Sequence, residues 1–146
     1  MPKMIFVNLP VADVAASTAF YTAIGAEQNR MFSDATASCM VFSDTIHAML
    51  LSHEKFAGFI PGRTIADAKA AVGMLIAVNE ESRDAVDAVI GKAAAAGGTA
   101  DATPVQDLGF MYSRSFADPD GHIWEVFWMD PAAAAGGPEV AAEATA

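Results

Sequence analysis

The N-terminal segment of the chain has the alternating apolar pattern of a β-strand. From Met4 to Leu9, the side chains of Ile5, Val7 and Leu9 share one face of an extended chain, and Phe6 and Asn8 share the other. Such alternation is typical of a strand that packs on a core with one face only. The pattern therefore predicts a first strand at residues 4–9.

A helical pattern follows this strand. Asp13 is a suitable N-cap, Gly25 is a suitable C-terminal glycine, and apolar residues recur between them at helical spacing at Val14, Phe20, Tyr21 and Ile24. Three strand-like runs come next, separated by turn-forming residues, at about 27–32, 37–42 and 46–52. The first part of the chain is therefore predicted to fold in the order β, α, β, β, β.

The same order is predicted again in the second half. Residues 72–78 form a strand-like run, and Ser82 or Asn79 can cap a helix that ends at Gly97-Gly98. Further strand-like runs lie at about 99–105, 110–116 and 122–129, and the last two are separated by the turn sequence 118–121. Two βαβββ modules predict an α+β fold with an internal structural repeat.

The repeat sets the predicted domain organisation. We expect one domain over residues 1–130, with module one at 4–53, a linker at 54–70 and module two at 71–130. The segment 131–146 is rich in alanine and glycine and has almost no bulky side chains, so we expect it to be disordered.

Composition narrows the classes of partner. Eight basic residues against 18 acidic residues give a net charge of −10, which disfavours binding to nucleic acid and to anionic membrane surfaces. No apolar run approaches the about 20 residues that span a bilayer. The single cysteine, Cys39, cannot form an internal disulfide, which favours a reducing compartment and a cytoplasmic location. A small molecule or another protein is therefore the expected partner.

Several stretches resemble one known family. They are residues 6–13 leading into 17–21, the pair Gly97-Gly98 and, with the most specific pattern, residues 116–126 (Phe-Ala-Asp-Pro-Asp-Gly-His-Ile-Trp-Glu-Val). On these residues the chain, over about residues 4–129, resembles the vicinal oxygen chelate superfamily. That superfamily includes glyoxalase I, extradiol dioxygenases, and bleomycin and fosfomycin resistance proteins.

The resemblance implies a half-open barrel built from the two modules, a cavity for a small molecule, and a homodimer. Metal-dependent members hold a divalent ion with His or Glu side chains from the first and last strands of each half. In this chain those positions carry Phe6, Met49 or Leu50, about Gly73, and Glu125. Only Glu125 can coordinate a metal through its side chain. The sequence therefore favours loss of the standard metal site and predicts no cofactor, with a divalent metal as the alternative.

Glu125 and four other residues are the candidates for a functional site. Glu125 is the candidate catalytic residue and lone metal ligand, and its alternative role is a structural carboxylate that pairs with Arg114 or accepts a hydrogen bond from a tyrosine. Arg114 and Tyr112 share one face of their predicted strand, where Arg114 can bind an anionic group. Asn8 can orient a carbonyl or amide. His47 has the strand parity that faces the same side as Glu125.

Two functions remain open from the residues. The first is metal-free binding of a small molecule in a concave cavity, as in bleomycin resistance proteins. The alternative is a metal-dependent lyase, isomerase or dioxygenase of the same superfamily that uses Glu125. Metal content distinguishes the two functions.

Overall fold

The computed structural model describes residues 1–136, and its contacts divide the chain into two compact units. The first unit contains residues 1–73 together with the turn at 118–122. The second contains residues 74–117 and, of the described residues, 123–136. The first unit therefore includes the segment expected to be a linker and the Asp-Pro-Asp-Gly turn of the second half.

The first unit contains a four-stranded sheet and a helix in the predicted order. Its elements are β1 (Ile5–Val11), α1 (Val14–Ala23), β2 (Glu27–Asn29), β3 (Ala37–Val41) and β4 (Ile46–Ser52). The strand order is β1-β4-β3-β2, with β1 and β4 parallel and the other pairs antiparallel. The predicted second strand is shorter than expected, because residues 30–32 form a 3-10 turn.

Helix α1 begins and ends where the pattern predicts. The Asp13 carboxylate accepts a hydrogen bond from the Ala16 backbone N–H at 3.0 Å, which satisfies a donor of the first turn. Gly25 has φ +109°, a left-handed conformation that glycine adopts without strain. Phe20 and Tyr21 are buried on the helix, and Leu50 is among the buried residues of the sheet. The core of the first unit therefore lies between α1 and one face of its sheet.

The second unit repeats this topology. Its elements are β5 (Ile76–Asn79), α3 (Arg83–Ala95), β6 (Thr99–Ala100), β7 (Gln106–Asp107), β8 (Met111–Ala117) and β9 (Ile123–Met129). The strand order is β5-β9-β8-β6, and β7 also pairs with β8. Ser82 caps α3, as predicted, by accepting a hydrogen bond from Ala85 at 3.0 Å. The predicted α+β class with two sheets is confirmed, and within residues 1–136 neither sheet closes into a barrel.

Two predicted strands of the second module differ from the structure. Strand β5 begins at Ile76 rather than at Val72. Ile76 pairs with Trp124 near the start of β9, so β9 has almost no residues left with which the residues before Ile76 could pair. The run 99–105 is mainly a loop. There Asp101 has φ +54°, and the Thr103 backbone N–H donates to the Ser115 hydroxyl of β8 at 2.7 Å rather than to a backbone carbonyl of that strand.

The segment predicted as a linker, 54–70, contains most of a short helix. Helix α2 (His53–Phe59) begins after Ser52, whose hydroxyl accepts a hydrogen bond from the Lys55 backbone at 3.2 Å. Of the predicted disordered segment, residues 131–136 are helical, and 137–146 lie outside the described residues. No helix within residues 1–136 is long and apolar enough to cross a membrane.

Candidate functional site

A pocket of about 440 Å³ lies in the first unit. Its floor comes from the sheet face that carries Phe6 and Asn8, the face opposite the buried Leu9. The lining residues are Phe6, Asn8, Met31, Phe32, Ser33, Asp34, Ala37, Cys39, Met49, Leu51, Lys55 and Phe59. The register places Asn8 beside Met49, and Met49 beside Cys39, so adjacent strands supply the floor. The volume suits a small organic molecule.

The rim of this pocket carries large apolar side chains that are open to solvent. Met31 is 85% exposed, Phe32 64% and Phe59 68%. The Asn29 side chain fixes the turn that presents Met31 and Phe32, by accepting a hydrogen bond from the Met31 backbone at 3.1 Å. Phe59 is the last residue of α2. Exposed apolar side chains grouped around a concavity are typical of a binding surface.

Four polar side chains border the apolar lining: those of Asn8, Ser33, Asp34 and Lys55. The Asn8 side chain makes only a long hydrogen bond, 3.5 Å, to the Phe6 carbonyl. Asp34 accepts hydrogen bonds from the Thr36 hydroxyl and backbone and from the Ala37 backbone. The Thr36 bonds are the main reason that the pKa of Asp34 lies below its usual range, and the charge of Lys55 adds to the effect. Asp34 is therefore ionised at neutral pH.

Cys39 is the floor residue with nucleophilic chemistry. Its side chain is 2% exposed, and burial raises the pKa of the thiol. Because the thiolate is the reactive form, this thiol is an apolar wall group at neutral pH.

His47 contacts the pocket residue Phe6 from the neighbouring strand β4. The two rings stack with centroids 4.4 Å apart and an interplanar angle of 12°. The His47 side chain is 7% exposed, and its Nδ1 has no hydrogen-bond partner within the described part of the chain. His47 does not line the pocket itself, so its contact with Phe6 is its link to the site.

Glu125 and Arg114 lie on opposite faces of the second sheet. Ser115 pairs with Glu125 and Arg114 pairs with Val126, and successive side chains of a strand alternate between faces. Arg114 therefore does not pair with Glu125, which was its predicted structural partner. Glu125 is half-buried, and its carboxylate has no hydrogen bond or ion pair with any residue in the range 1–136.

Arg114 and Tyr112 bind acidic residues of their own unit. The Arg114 guanidinium donates to both Asp101 oxygens at 2.9 and 2.7 Å and to Asp87 at 3.0 Å. The Tyr112 hydroxyl donates to the same Asp87 oxygen at 2.7 Å. These bonds hold the pKa values of both aspartates below their usual range and raise the pKa of Tyr112. The donors that could hold an anionic ligand are therefore already engaged.

The positions that carry metal ligands in metal-dependent relatives do not supply a ligand set. Phe6 and Met49 line the pocket of the first unit. In the second unit the residue paired with Glu125 is Ala77, whereas the expected position, Gly73, lies outside the strand. Within residues 1–136 no group of three His, Cys, Asp or Glu side chains is arranged to hold a metal. The side chains at these positions therefore do not fit the standard divalent ion.

A second pocket of about 400 Å³ lies elsewhere in the first unit. It is lined by Pro10, Ala12, His53, Ile65, Ala66, Asp67, Ala68, Lys69, Asp120 and His122. Its side chains hold the Asp-Pro-Asp-Gly turn in place, because Asp120 accepts from the Ala12 backbone at 2.9 Å and the His122 ring contacts the Pro10 carbonyl at 2.8 Å. These polar groups are used within the fold.

Sequence reasoning missed most of the pocket rim. The sequence pattern predicts a strand end at Met31 and Phe32 and a turn at Asp34. It predicts a linker at Lys55 and Phe59. The available signal was the presence of bulky apolar residues in segments predicted to be exposed connections.

Comparison with known proteins identifies the family of this chain. The family model for the Glyoxalase/Bleomycin resistance protein/Dioxygenase superfamily matches residues 3–126. The chain belongs to this superfamily. No curated protein sequence matches it.

Several solved structures share the fold at low sequence identity. An enzyme of the family from Burkholderia phytofirmans is 19% identical with a TM-score of 0.68, and the match covers 88% of this chain and 99% of that one. A glyoxalase-related enzyme from Fulvimarina pelagi is 20% identical, with a TM-score of 0.71 and 88% coverage of both chains. A hypothetical protein from S. aureus is 23% identical, with a TM-score of 0.72 and coverage of 88% and 94%. At these identities the likeness establishes the superfamily fold and not an activity.

Proposed function

We propose that this superfamily member binds a small, largely apolar molecule in the pocket of its first unit and does so without the standard metal. The observation that carries the proposal is the pocket itself, about 440 Å³, with an apolar floor and an exposed rim of Met31, Phe32 and Phe59. Burial of such side chains against a ligand contributes about 25 cal/mol for each Å² removed from water.

The chemistry of the metal positions supports the metal-free form of this proposal. Aromatic, thioether and methyl side chains stand at Phe6, Met49 and Ala77, and only Glu125 is a carboxylate. Divalent ions of this class require three or four nitrogen or oxygen ligands. Binding energy in the pocket must therefore come from apolar contact and from the few polar side chains on its border.

An uncharged fluorescent probe, N-phenylnaphthylamine, tests the binding proposal. We expect its emission to rise on addition of the protein, and the rise to be weakened by Phe59→Ser and by Phe32→Ser. Both side chains are exposed, so these variants keep the core intact. Leu108→Ser is the matched control, because Leu108 is 53% exposed but does not line the pocket. Equal loss in all three variants, or no binding by the native protein, would contradict the proposal.

Elemental analysis tests the metal-free part. Protein purified without chelator should contain far less than one divalent ion per chain. About one ion per chain, lost on Glu125→Gln, would instead support the metal-dependent alternative with Glu125 as a ligand.

We further propose that two chains pair as a homodimer. The exposed apolar side chains of the first sheet, Ile5 at 56% and Phe6 at 46%, support this proposal because such side chains are commonly covered in an assembly. Light scattering coupled to size-exclusion chromatography should give twice the mass of the 15.2 kDa chain.

A further inference from the structure

The cation on the pocket border has no partner of its own. Lys55 lies in α2 and is half-buried, and it is the only cationic residue among those that line the pocket. Its ammonium makes no ion pair or hydrogen bond with any residue in the described range 1–136. In a chain with ten more negative than positive charges, an unpaired lysine at an apolar pocket stands out as a group available to a ligand.

The position of Lys55 is set by the fold. The Ser52 hydroxyl accepts a hydrogen bond from the Lys55 backbone N–H at 3.2 Å and so fixes the first turn of α2. The same helix carries Phe59 to the rim. The charge and one apolar wall of the pocket are therefore presented by a single short element.

The nearby carboxylate of Asp34 does not form an ion pair with this lysine. One oxygen of Asp34, Oδ1, accepts from the Thr36 hydroxyl and backbone at 2.8 Å each and from the Ala37 backbone at 3.0 Å. Asp34 thus stabilises its own turn. Its carboxylate lies farther from the Lys55 ammonium than the 4.0 Å limit for an ion pair. The carboxylate therefore forms no contact with Lys55 that a ligand would have to break.

We infer that the ligand of this pocket is an apolar, preferably aromatic, molecule that carries one carboxylate, and that Lys55 binds the carboxylate. The inference rests on the proposed function of the pocket. The aromatic body lies against Phe6, Phe32 and Phe59, and the carboxylate meets the ammonium at the border. A charge-assisted hydrogen bond of this kind selects an acid over an uncharged molecule of the same shape.

Three probes of one shape test the inference: cinnamate, cinnamamide and the cinnamylammonium ion. Affinities are measured by ligand-detected NMR titration with the full chain. We expect cinnamate to bind about tenfold more tightly than the amide, as for a partly desolvated ion pair, and the cation to bind most weakly. Lys55→Met keeps an unbranched apolar stem and should remove the preference for the acid, so that cinnamate and cinnamamide bind about equally. Lys55→Arg should retain the preference.

Two controls separate the possible failures. Lys92→Met removes a cation of the second unit that does not line the pocket, and should leave the preference unchanged. Asp34→Asn should leave cinnamate binding equal or tighter, because it removes a neighbouring negative charge. Equal binding of acid and amide by the native protein, or tightest binding of the cation, overturns the inference while the binding function stands. If none of the three probes binds, and N-phenylnaphthylamine does not bind either, the proposed function itself fails.

Discussion

The two tyrosines of the chain offer a controlled measurement of what a buried hydrogen bond contributes to this fold. Tyr21 is fully buried, and its hydroxyl donates to the Asp118 carboxylate at 2.6 Å. Asp118 is itself only 4% exposed. Tyr112 donates to Asp87 at 2.7 Å, but this pair is exposed to solvent. Both variants, Tyr21→Phe and Tyr112→Phe, remove one tyrosine hydroxyl that donates to an aspartate. The two hydroxyls differ in burial, so the two variants should lower the free energy of unfolding by different amounts.

Tyr21→Phe should lower the free energy of unfolding by about 2–3 kcal/mol, the range for a hydrogen bond to a charged group. The ring contacts of Tyr21 with Phe20 and Phe42 remain, so no large cavity opens. The backbones of Asp120 and His122 continue to donate to Asp118 Oδ1. The cost therefore comes from one carboxylate oxygen that loses its donor in the interior. Tyr112→Phe should cost about 0.5 kcal/mol or less, because water replaces the lost donor.

The pH dependence provides an internal check. Burial raises the pKa of Asp118, and the Tyr21 hydroxyl opposes that shift by favouring the carboxylate. A raised carboxyl pKa means that stability falls as the pH rises from the ordinary pKa through the raised one. Removing the Tyr21 hydroxyl raises the pKa further. The difference between native protein and Tyr21→Phe should therefore be largest near neutral pH and shrink as Asp118 becomes protonated.

Urea unfolding followed by circular dichroism measures these differences at neutral and mildly acidic pH. The dependence of the free energy on urea concentration should be unchanged in both variants, because neither alters the surface that unfolding exposes. If Tyr21→Phe cost no more than Tyr112→Phe, or if the difference did not depend on pH, the assignment of a buried, desolvated carboxylate at Asp118 would be refuted.

Three further predictions concern the turn, the ionic network and the thiol. Gly121→Ala should destabilise the protein by about 2 kcal/mol or more, because Gly121 has φ +94° and an added Cβ would lie 2.7 Å from the Lys69 backbone nitrogen. Gly62→Ala, at φ +80° with open space, should cost only about 1 kcal/mol in the same urea assay. Arg114→Met should make acid unfolding shallower, mainly through Asp101, whose pKa is held low chiefly by Arg114; the pKa of Asp87 is lowered first by the Tyr112 hydroxyl, which remains, and only second by Arg114. The lost contribution to stability is present above the ordinary aspartate pKa and disappears as the pH falls through the lowered one. Acid titration monitored by circular dichroism checks this, and an unchanged profile would contradict it. The Cys39 thiol should react with a disulfide reagent many times more slowly in the native protein than in urea, since it is buried and its pKa is raised; equal rates would show that the pocket floor is open.

Local sequence patterns predicted the elements that local physics controls. Asp13 and Ser82 cap their helices as expected, and Gly25 ends α1 in a left-handed conformation. Alternation placed Phe6 and Leu9 on opposite faces of β1. These features depend on hydrogen bonds and side-chain directions within a few residues, so no distant contact is needed to predict them.

The predictions that failed depend on pairing between distant segments. The expected link between Arg114 and Glu125 was wrong because the register of β8 and β9 places them on opposite faces. The strand expected at 99–105 is mainly a loop because the Thr103 backbone N–H donates to the side chain of Ser115 on β8 and not to the backbone of that strand. Register and loop contacts are decided by the whole sheet.

The sequence by itself determined the repeated βαβββ order, the caps, and the face of β1 that carries Phe6 and Asn8. Only the tertiary structure decided which segments border that face, because the 3-10 turn with Met31 and the helix with Lys55 and Phe59 belong to connections without a repeating pattern. Such connections take their positions from the sheet and helix that they join. The pocket therefore forms only when the strands are paired and the connections lie beside them. The same holds for the position of the lysine that is proposed to bind the ligand.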